Sequence, residues 1–73
     1  MTQNITIVKL EKSPTELYKI LKFEGLASSG AEAKIFIADG QVTVNDAIEL
    51  QKRKKIVAGD TINFADQTLN ITE

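Results

Sequence analysis

Short runs of alternating apolar and polar residues flank two stretches in which apolar residues recur at helical spacing. The clearer helical stretch begins at Ser29, which with Glu32 three positions later has the form of a capping box. Ala33, Phe36 and Ile37 then fall three and four positions apart, so they share one face of a helix. The pattern predicts a short helix whose buried face carries these three residues.

A helix end, a strand and a turn follow directly. Gly40 is typical of the left-handed residue that closes a helix. Val42 and Val44 alternate with polar residues at the period of a half-buried strand. Asn45 and Asp46 both tolerate positive φ, which predicts a tight hairpin turn into a return strand.

The earlier helical stretch carries Leu17, Ile20 and Leu21 on its apolar face. We predict that it starts at a second capping box, residues 13–16, with proline in the first helical position. We expect it to end at Gly25. Because few residues separate the two helices, they must turn sharply against one another.

The remaining alternating runs predict strands at both ends of the chain. Residues 5–10 are rich in β-branched side chains and are expected at a sheet edge. Residues 61–64 and 68–72 alternate cleanly, with Leu69 and Ile71 facing inward. The fold class is therefore α+β, with two short helices packed on a small, mainly antiparallel sheet. With no linker and no repeat, residues 1–73 are expected to form one domain.

Composition excludes several classes of function. The 73 residues are near the smallest number that one core sustains, and they include no His and no Cys. The commonest metal ligand and the usual general base are thus missing, so we expect no catalysis, no metal and no other cofactor. No apolar run approaches the ~20 residues that span a bilayer, and no signal peptide is recognisable. We expect a cytoplasmic monomer.

Positive charge is clustered, although the net charge is only −1. The ten acidic residues are spread singly, whereas four of the nine bases are consecutive and form what we call the basic run: Lys52, Arg53, Lys54 and Lys55. Salt screens charges more than ~8 Å apart, so distant acids do not cancel the field of this run. A solvated edge strand is one interpretation, but one or two lysines would suffice there. A run of four consecutive bases favours an anionic partner.

The start of the second helix is another candidate binding site. Free N–H groups at Ser29 and Gly30 point outward there, and the helix dipole favours an anion. Lys34, one turn further on, adds positive charge. Capping alone is the alternative interpretation of Ser29. Lys19 and Lys22 on the first helix are weaker candidates, because surface lysines are usually only solvated.

Four segments, in this order, resemble the S4-type RNA-binding domain of ribosomal small-subunit proteins: residues 17–21, 29–34, 37–45 and 57–62. The specific part is the pattern A-x-x-x-I-x-x-G-x-V-x-V-N followed by G-D-x-I. The resemblance covers about residues 14–64. It is greatest to the small stand-alone bacterial members of the YbcJ-like group.

The resemblance implies a fold in which two helices and the adjoining hairpin form one RNA-binding face without cofactor or chemistry. It implies that the partner is structured RNA, ribosomal or transfer RNA, and that the protein is ribosome-associated. At matching positions the contacts would come from the starts of both helices, Lys34 and the basic run. Two family bases are missing, because Glu16 and Gly30 stand where the family often has Arg and a basic residue.

Recognition of the phosphate backbone and shape of structured RNA is the leading hypothesis. Of four aromatic residues, Phe36 and Phe64 are predicted in the core, which leaves Tyr18 and Phe23, the latter at a helix edge. The alternative is a protein-interaction module that docks on a ribosome-associated or other acidic partner without RNA contact. Anionic lipid is a third possibility, but no amphipathic basic helix with exposed aromatic residues supports it.

Overall fold

The computed structural model describes residues 4–73. Its helices are Leu17–Phe23 (α1) and Gly30–Ala38 (α2). Its strands are, in chain order, Asn4–Lys9 (β1), Thr15–Glu16 (β2), Val42–Val44 (β3), Ala47–Ile48 (β4), Lys55–Ile56 (β5), Thr61–Phe64 (β6) and Gln67–Thr72 (β7). Within the described part of the chain, neither helix has the length and apolar character needed to cross a bilayer.

Five strands form one sheet in the order β1-β7-β6-β3-β4, and β2 pairs with β5 in a separate two-stranded sheet. Every neighbouring pair is antiparallel except β1 and β7, which run parallel from Asn4 opposite Gln67 to Lys9 opposite Thr72. The first strand lies at an edge, as predicted. The α+β class, two helices on a mainly antiparallel sheet, is confirmed.

One face of the five-stranded sheet packs against both helices. The strand register places Val44, Ile62 and Leu69 side by side, and all three are almost fully buried. The helices cover them with five buried side chains, namely Leu17, Ile20, Leu21, Ala33 and Ile37. Phe36 is only partly buried and stacks on Phe64, with ring centres 4.8 Å apart. The apolar faces predicted from helical spacing are therefore those that form the core.

The signals around α2 act as predicted, with one change of partner. The Ser29 hydroxyl accepts from the Glu32 N–H at 3.1 Å. The Glu32 carboxylate, however, accepts from the N–H and hydroxyl of Ser28, at 3.1 and 2.8 Å, instead of from Ser29. Asn45 and Asp46 have φ of 52° and 69° and form the turn between β3 and β4.

The predicted start of the first helix is wrong. Residues 13–16 do not cap α1, because Thr15–Glu16 forms strand β2 and the helix begins at Leu17. Glu16 is the N-cap residue, but its side chain accepts no capping hydrogen bond from a backbone N–H of the helix. The peptide bond between Ser13 and Pro14 is cis. Proline therefore does not occupy the first turn.

Backbone carbonyls of the basic run replace the expected cap. The N–H groups of Leu17 and Tyr18 donate to the carbonyls of Lys54 and Lys52, at 2.9 and 3.1 Å. Strand β5, which begins at Lys55, pairs with β2 and holds the run against the start of α1. Lys52, Arg53 and Lys54 thus lie in the loop between β4 and β5, packed on a helix end, and Lys55 begins β5. The run is not an edge of the main sheet.

Candidate nucleic-acid interface

Tyr18 stands at the centre of a cluster of cations that come from three parts of the chain. The Nζ of Lys34, on α2, lies 4.6 Å from the centre of the Tyr18 ring. The Nζ of Lys19 and the Cζ of Arg53 each lie 6.0 Å from it. At such distances a cation is attracted to an aromatic ring by ~0.5 to 1 kcal/mol at an exposed site. We call Tyr18 and these three cations the basic face.

The geometry of the two helices explains why Tyr18 is in this place. Leu17 and Leu21 are fully buried and fix the rotation of α1. A Cβ added to Gly30 would meet the Tyr18 ring at 3.5 Å, so the ring packs over the first turn of α2. Helical side chains point back toward the N-terminus, and Lys34 is one turn after Gly30. Its ammonium group therefore reaches the ring.

Glu16 joins two cations of the basic face. Its carboxylate oxygens lie 3.2 Å from the Lys19 Nζ and 3.4 Å from an Nη of Arg53. The hydrogen bond from Lys19 lowers the pKa of Glu16; partial burial opposes this shift, and the charges of Lys19, Arg53 and Lys55 lower the pKa further. Glu16 is therefore charged at neutral pH and neutralises part of the basic face from within the protein.

The remaining predicted bases differ in position. Lys52, Lys54 and Lys55 are exposed and continue the positive surface on both sides of Arg53. Lys22 is exposed in the last turn of α1, one turn beyond Lys19, and the structure does not bring it to the Tyr18 ring. Within residues 4–73, no carboxylate forms an ion pair with Lys34 or with the three lysines of the basic run. These four ammonium groups are thus available to an external anion.

The two helix starts differ in what they offer an anion. At α2, the Glu32 N–H is bonded to Ser29, whereas the N–H groups of Gly30 and Ala31 have no acceptor among the described residues. At α1, the first two N–H groups are bonded to carbonyls of the basic run. At the start of α2, the open N–H groups of Gly30 and Ala31 therefore lie near a cation, Lys34.

Sequence reasoning identifies the bases but misses what organises them. It treats Tyr18 only as a scarce stacking residue and Glu16 only as a missing family base. One local signal was available, because Glu16 and Lys19 have the i, i+3 spacing of a helical ion pair. No local signal indicates that Arg53, 37 residues from Glu16, contacts the Glu16 carboxylate and lies near the Tyr18 ring.

Comparison with known proteins extends over nearly all of the chain. A family model described as S4 domain matches residues 8–72. "Putative RNA-binding protein YbcJ" of Escherichia coli (strain K12) is 52% identical over 63 residues, which cover 85% of this chain and 90% of that protein. "Uncharacterized protein YbcJ" of Shigella flexneri matches with the same identity and coverage.

A solved structure gives the same result in three dimensions. The solution structure of YbcJ from E. coli, described as revealing an ALFAL motif involved in RNA-binding, matches with a TM-score of 0.73 and 46% sequence identity. The match covers 100% of this chain and 94% of that chain. Both helices and the basic run therefore lie inside the matched region.

Proposed function

The chain belongs to the S4 domain family, and from this premise we propose that it binds structured RNA by contacting the phosphate backbone with its basic face and basic run. The observation that carries this proposal is the gathering of Lys19, Lys34 and Arg53 around one ring, from α1, α2 and the basic run. Cations on separate elements define a surface with a fixed shape. A fixed shape suits a folded RNA better than a flexible single strand.

The charges available on this surface support phosphate recognition. Lys34 and the lysines of the basic run have no ion pair within residues 4–73, so no carboxylate of these residues neutralises their charge directly. Open N–H groups at Gly30 and Ala31 lie on the same helix as Lys34 and add donors for a phosphate oxygen. In A-form RNA the phosphates and 2′-hydroxyls are the accessible groups, and they specify shape rather than sequence.

We also propose the oligomeric state, the cellular compartment and the class of RNA for this binding. Residues 1–73 act as one monomeric domain in the cytoplasm, on ribosomal or transfer RNA, and the protein is ribosome-associated. RNA binding involves no catalytic step and no cofactor, and the absence of His and Cys from the sequence supports this.

The salt dependence of binding to an RNA hairpin tests the proposal. If about four phosphates are neutralised, log affinity falls against log salt with a slope of about −3 to −4. Replacing Arg53 and Lys54 together by alanine should make that slope shallower by roughly 1.4 to 1.8. The backbone carbonyl of Lys54, which caps α1, is retained in this variant. A slope equal to that of wild type would place the RNA elsewhere.

Docking on a ribosome-associated or other acidic protein, without RNA contact, is the second candidate. The observations in its favour are the net charge of only −1 and the absence of two family bases, at Glu16 and Gly30. The two candidates differ in a capture experiment with the tagged protein. Partners that remain after nuclease treatment favour protein docking, whereas partners lost with the RNA favour direct RNA binding.

A further inference from the structure

An open cleft adjoins the basic face along α1. It has a volume of about 390 Å³, and its lining includes Lys12, Pro14, Glu16, Lys19, Phe23 and Lys55. Lys19 and Phe23 are four positions apart and therefore share one face of the helix. Phe23 was expected to pack at the helix edge, but it is 68% exposed. An exposed aromatic ring thus lines the same cleft as three lysines.

The space around Phe23 is large enough for a flat ring. A second depression, of about 440 Å³, is also lined by Phe23, and its apolar walls are Val8, Leu10 and Ile20. Two lysines and two glutamates complete the charged part of its lining. Phe23 therefore lies between two adjoining depressions, and Lys12 also lines both of them. Apolar walls and an aromatic face suit a nucleobase, while the lysines that line the basic cleft suit the phosphates attached to it.

The charge of the cleft agrees with an anionic occupant. Three lysines oppose one carboxylate, that of Glu16, whose oxygens already contact Lys19 and Arg53. Lys12 and Lys55 have no ion pair within the described part of the chain. Positive charge therefore remains in excess in the cleft.

We propose that this cleft binds one unpaired nucleotide of the RNA, with its base stacked on Phe23 and its flanking phosphates against Lys12 and Lys55. The inference rests on the proposed function, because Lys19 belongs to both the cleft and the basic face. It also predicts a structural feature of the RNA partner. The preferred RNA carries a bulged or looped-out nucleotide next to a paired stem.

Two RNA hairpins with the same stem, one fully paired and one with a single-nucleotide bulge, test the inference. Wild type should bind the bulged hairpin more tightly. Phe23→Ala should weaken that binding by ~5-fold or more, the loss expected for one stacked base, and leave the paired hairpin unaffected. Phe23→Trp should retain the preference, because its ring still stacks. With 2-aminopurine in the bulge, wild type but not Phe23→Ala should quench the fluorescence.

Matched variants separate stacking from a general loss of apolar surface. Ile35 on α2 is similarly exposed, at 63%, and lies outside the cleft, so Ile35→Ala should bind both hairpins as wild type does. Phe23→Leu keeps an apolar side chain and should lose the preference for the bulge. Lys12→Ala should make the salt slope shallower by roughly 0.7 to 0.9, and only for the bulged hairpin.

The outcomes distinguish this inference from the proposed function. Equal binding of both hairpins by wild type, or full retention of the preference in Phe23→Ala or Phe23→Leu, overturns the nucleotide site and leaves backbone binding intact. Failure of wild type to bind either hairpin overturns both. Equal melting temperatures of wild type and the Phe23 variants verify that the changes act on binding.

Discussion

The two helices begin in opposite ways. α2 is capped by Ser29, its own neighbour in sequence, whereas α1 is capped by the carbonyls of Lys52 and Lys54, far along the chain. A local cap requires only the local sequence. The distant cap requires β5 to pair with β2, and the same pairing brings Arg53 to Tyr18. At α1, therefore, the contacts that start the helix also assemble the basic face.

The largest expected effect comes from truncating Ile56, the buried residue that holds the basic run, and with it the carbonyls that cap α1, in place. Ile56 is fully buried in β5, so Ile56→Ala should cost about 2 to 5 kcal/mol of folding free energy. It should also speed amide hydrogen exchange at Leu17 and Tyr18, because their acceptors lie in the run that Ile56 anchors. Urea denaturation and hydrogen exchange by NMR measure the two effects.

Ile37→Ala provides the matched control for this variant. Ile37 is equally buried but lies on α2, so a similar loss of stability should leave exchange at Leu17 and Tyr18 no faster than at other core amides. The valine variants, at about 0.5 to 1.5 kcal/mol each, serve if either alanine variant does not fold. Identical exchange patterns in the Ile56 and Ile37 variants would contradict the coupling of the basic run to α1.

Phe36→Ala tests how much the contact between α2 and Phe64 contributes to the stability of the fold. Its ring is only partly buried against Phe64, so Phe36→Ala should cost about 2 to 3 kcal/mol, below the ~3 to 5 kcal/mol of a fully buried ring. Thermal denaturation should show a fall of roughly 10 °C or more for a chain of this size. A melting temperature near that of wild type would mean that the Phe36–Phe64 stack contributes little.

A direct comparison of the two caps should give a smaller difference. Ser29→Ala removes a side-chain cap and should cost about 1 kcal/mol. Glu16→Gln should cost less than this at neutral pH, because the Glu16 side chain accepts no hydrogen bond from a backbone N–H of α1. Chemical denaturation of both variants measures the difference. Equal losses would mean that the α1 start depends on Glu16 rather than on the carbonyls of the basic run.

The pH dependence of the Glu16 variant gives the smallest effect. Because the pKa of Glu16 is lowered in the folded protein, its ion pairs stabilise the fold above the ordinary carboxyl pKa, and this contribution is lost as the pH falls through the lowered value. Glu16→Gln should therefore be less stable than wild type at neutral pH and equal to it in acid. The variant should also bind RNA more tightly at low salt, since Lys19 and Arg53 lose their internal partner. Unchanged RNA affinity would exclude a neutralising role for Glu16.

The sequence predicts well those elements whose signals are adjacent. Ser29, Gly40 and the Asn45–Asp46 turn define the limits of α2 and the hairpin with no reference to the rest of the chain. The start of α1 is different, since residues 13–16 have the form of a capping box while the actual acceptors are backbone atoms of Lys52 and Lys54. Every residue has a backbone carbonyl, so no sequence pattern indicates which carbonyls will cap a helix.

The candidate site likewise combines features that the local sequence indicates with others that only the fold brings together. Lys34 and Arg53 are recognisable as candidate bases because of their neighbours in sequence. The approach of Lys34 to Tyr18 depends on the packing of α1 against α2. That of Arg53 depends on a pair of two-residue strands, β2 and β5, too short to show a periodic pattern. Sequence therefore identifies which residues carry charge, whereas tertiary structure decides which charges share a surface.

An NMR titration of the ¹⁵N-labelled protein with a bulged RNA hairpin tests most directly that distant segments form one RNA-binding surface. We expect amide signals of residues 29–34 and 52–55 to shift together, with one dissociation constant. Signals of Thr43, Asn63 and Thr61, on the sheet face opposite the buried one, should stay unchanged. Shifts confined to that outer face, or different dissociation constants for the two segments, would contradict the account.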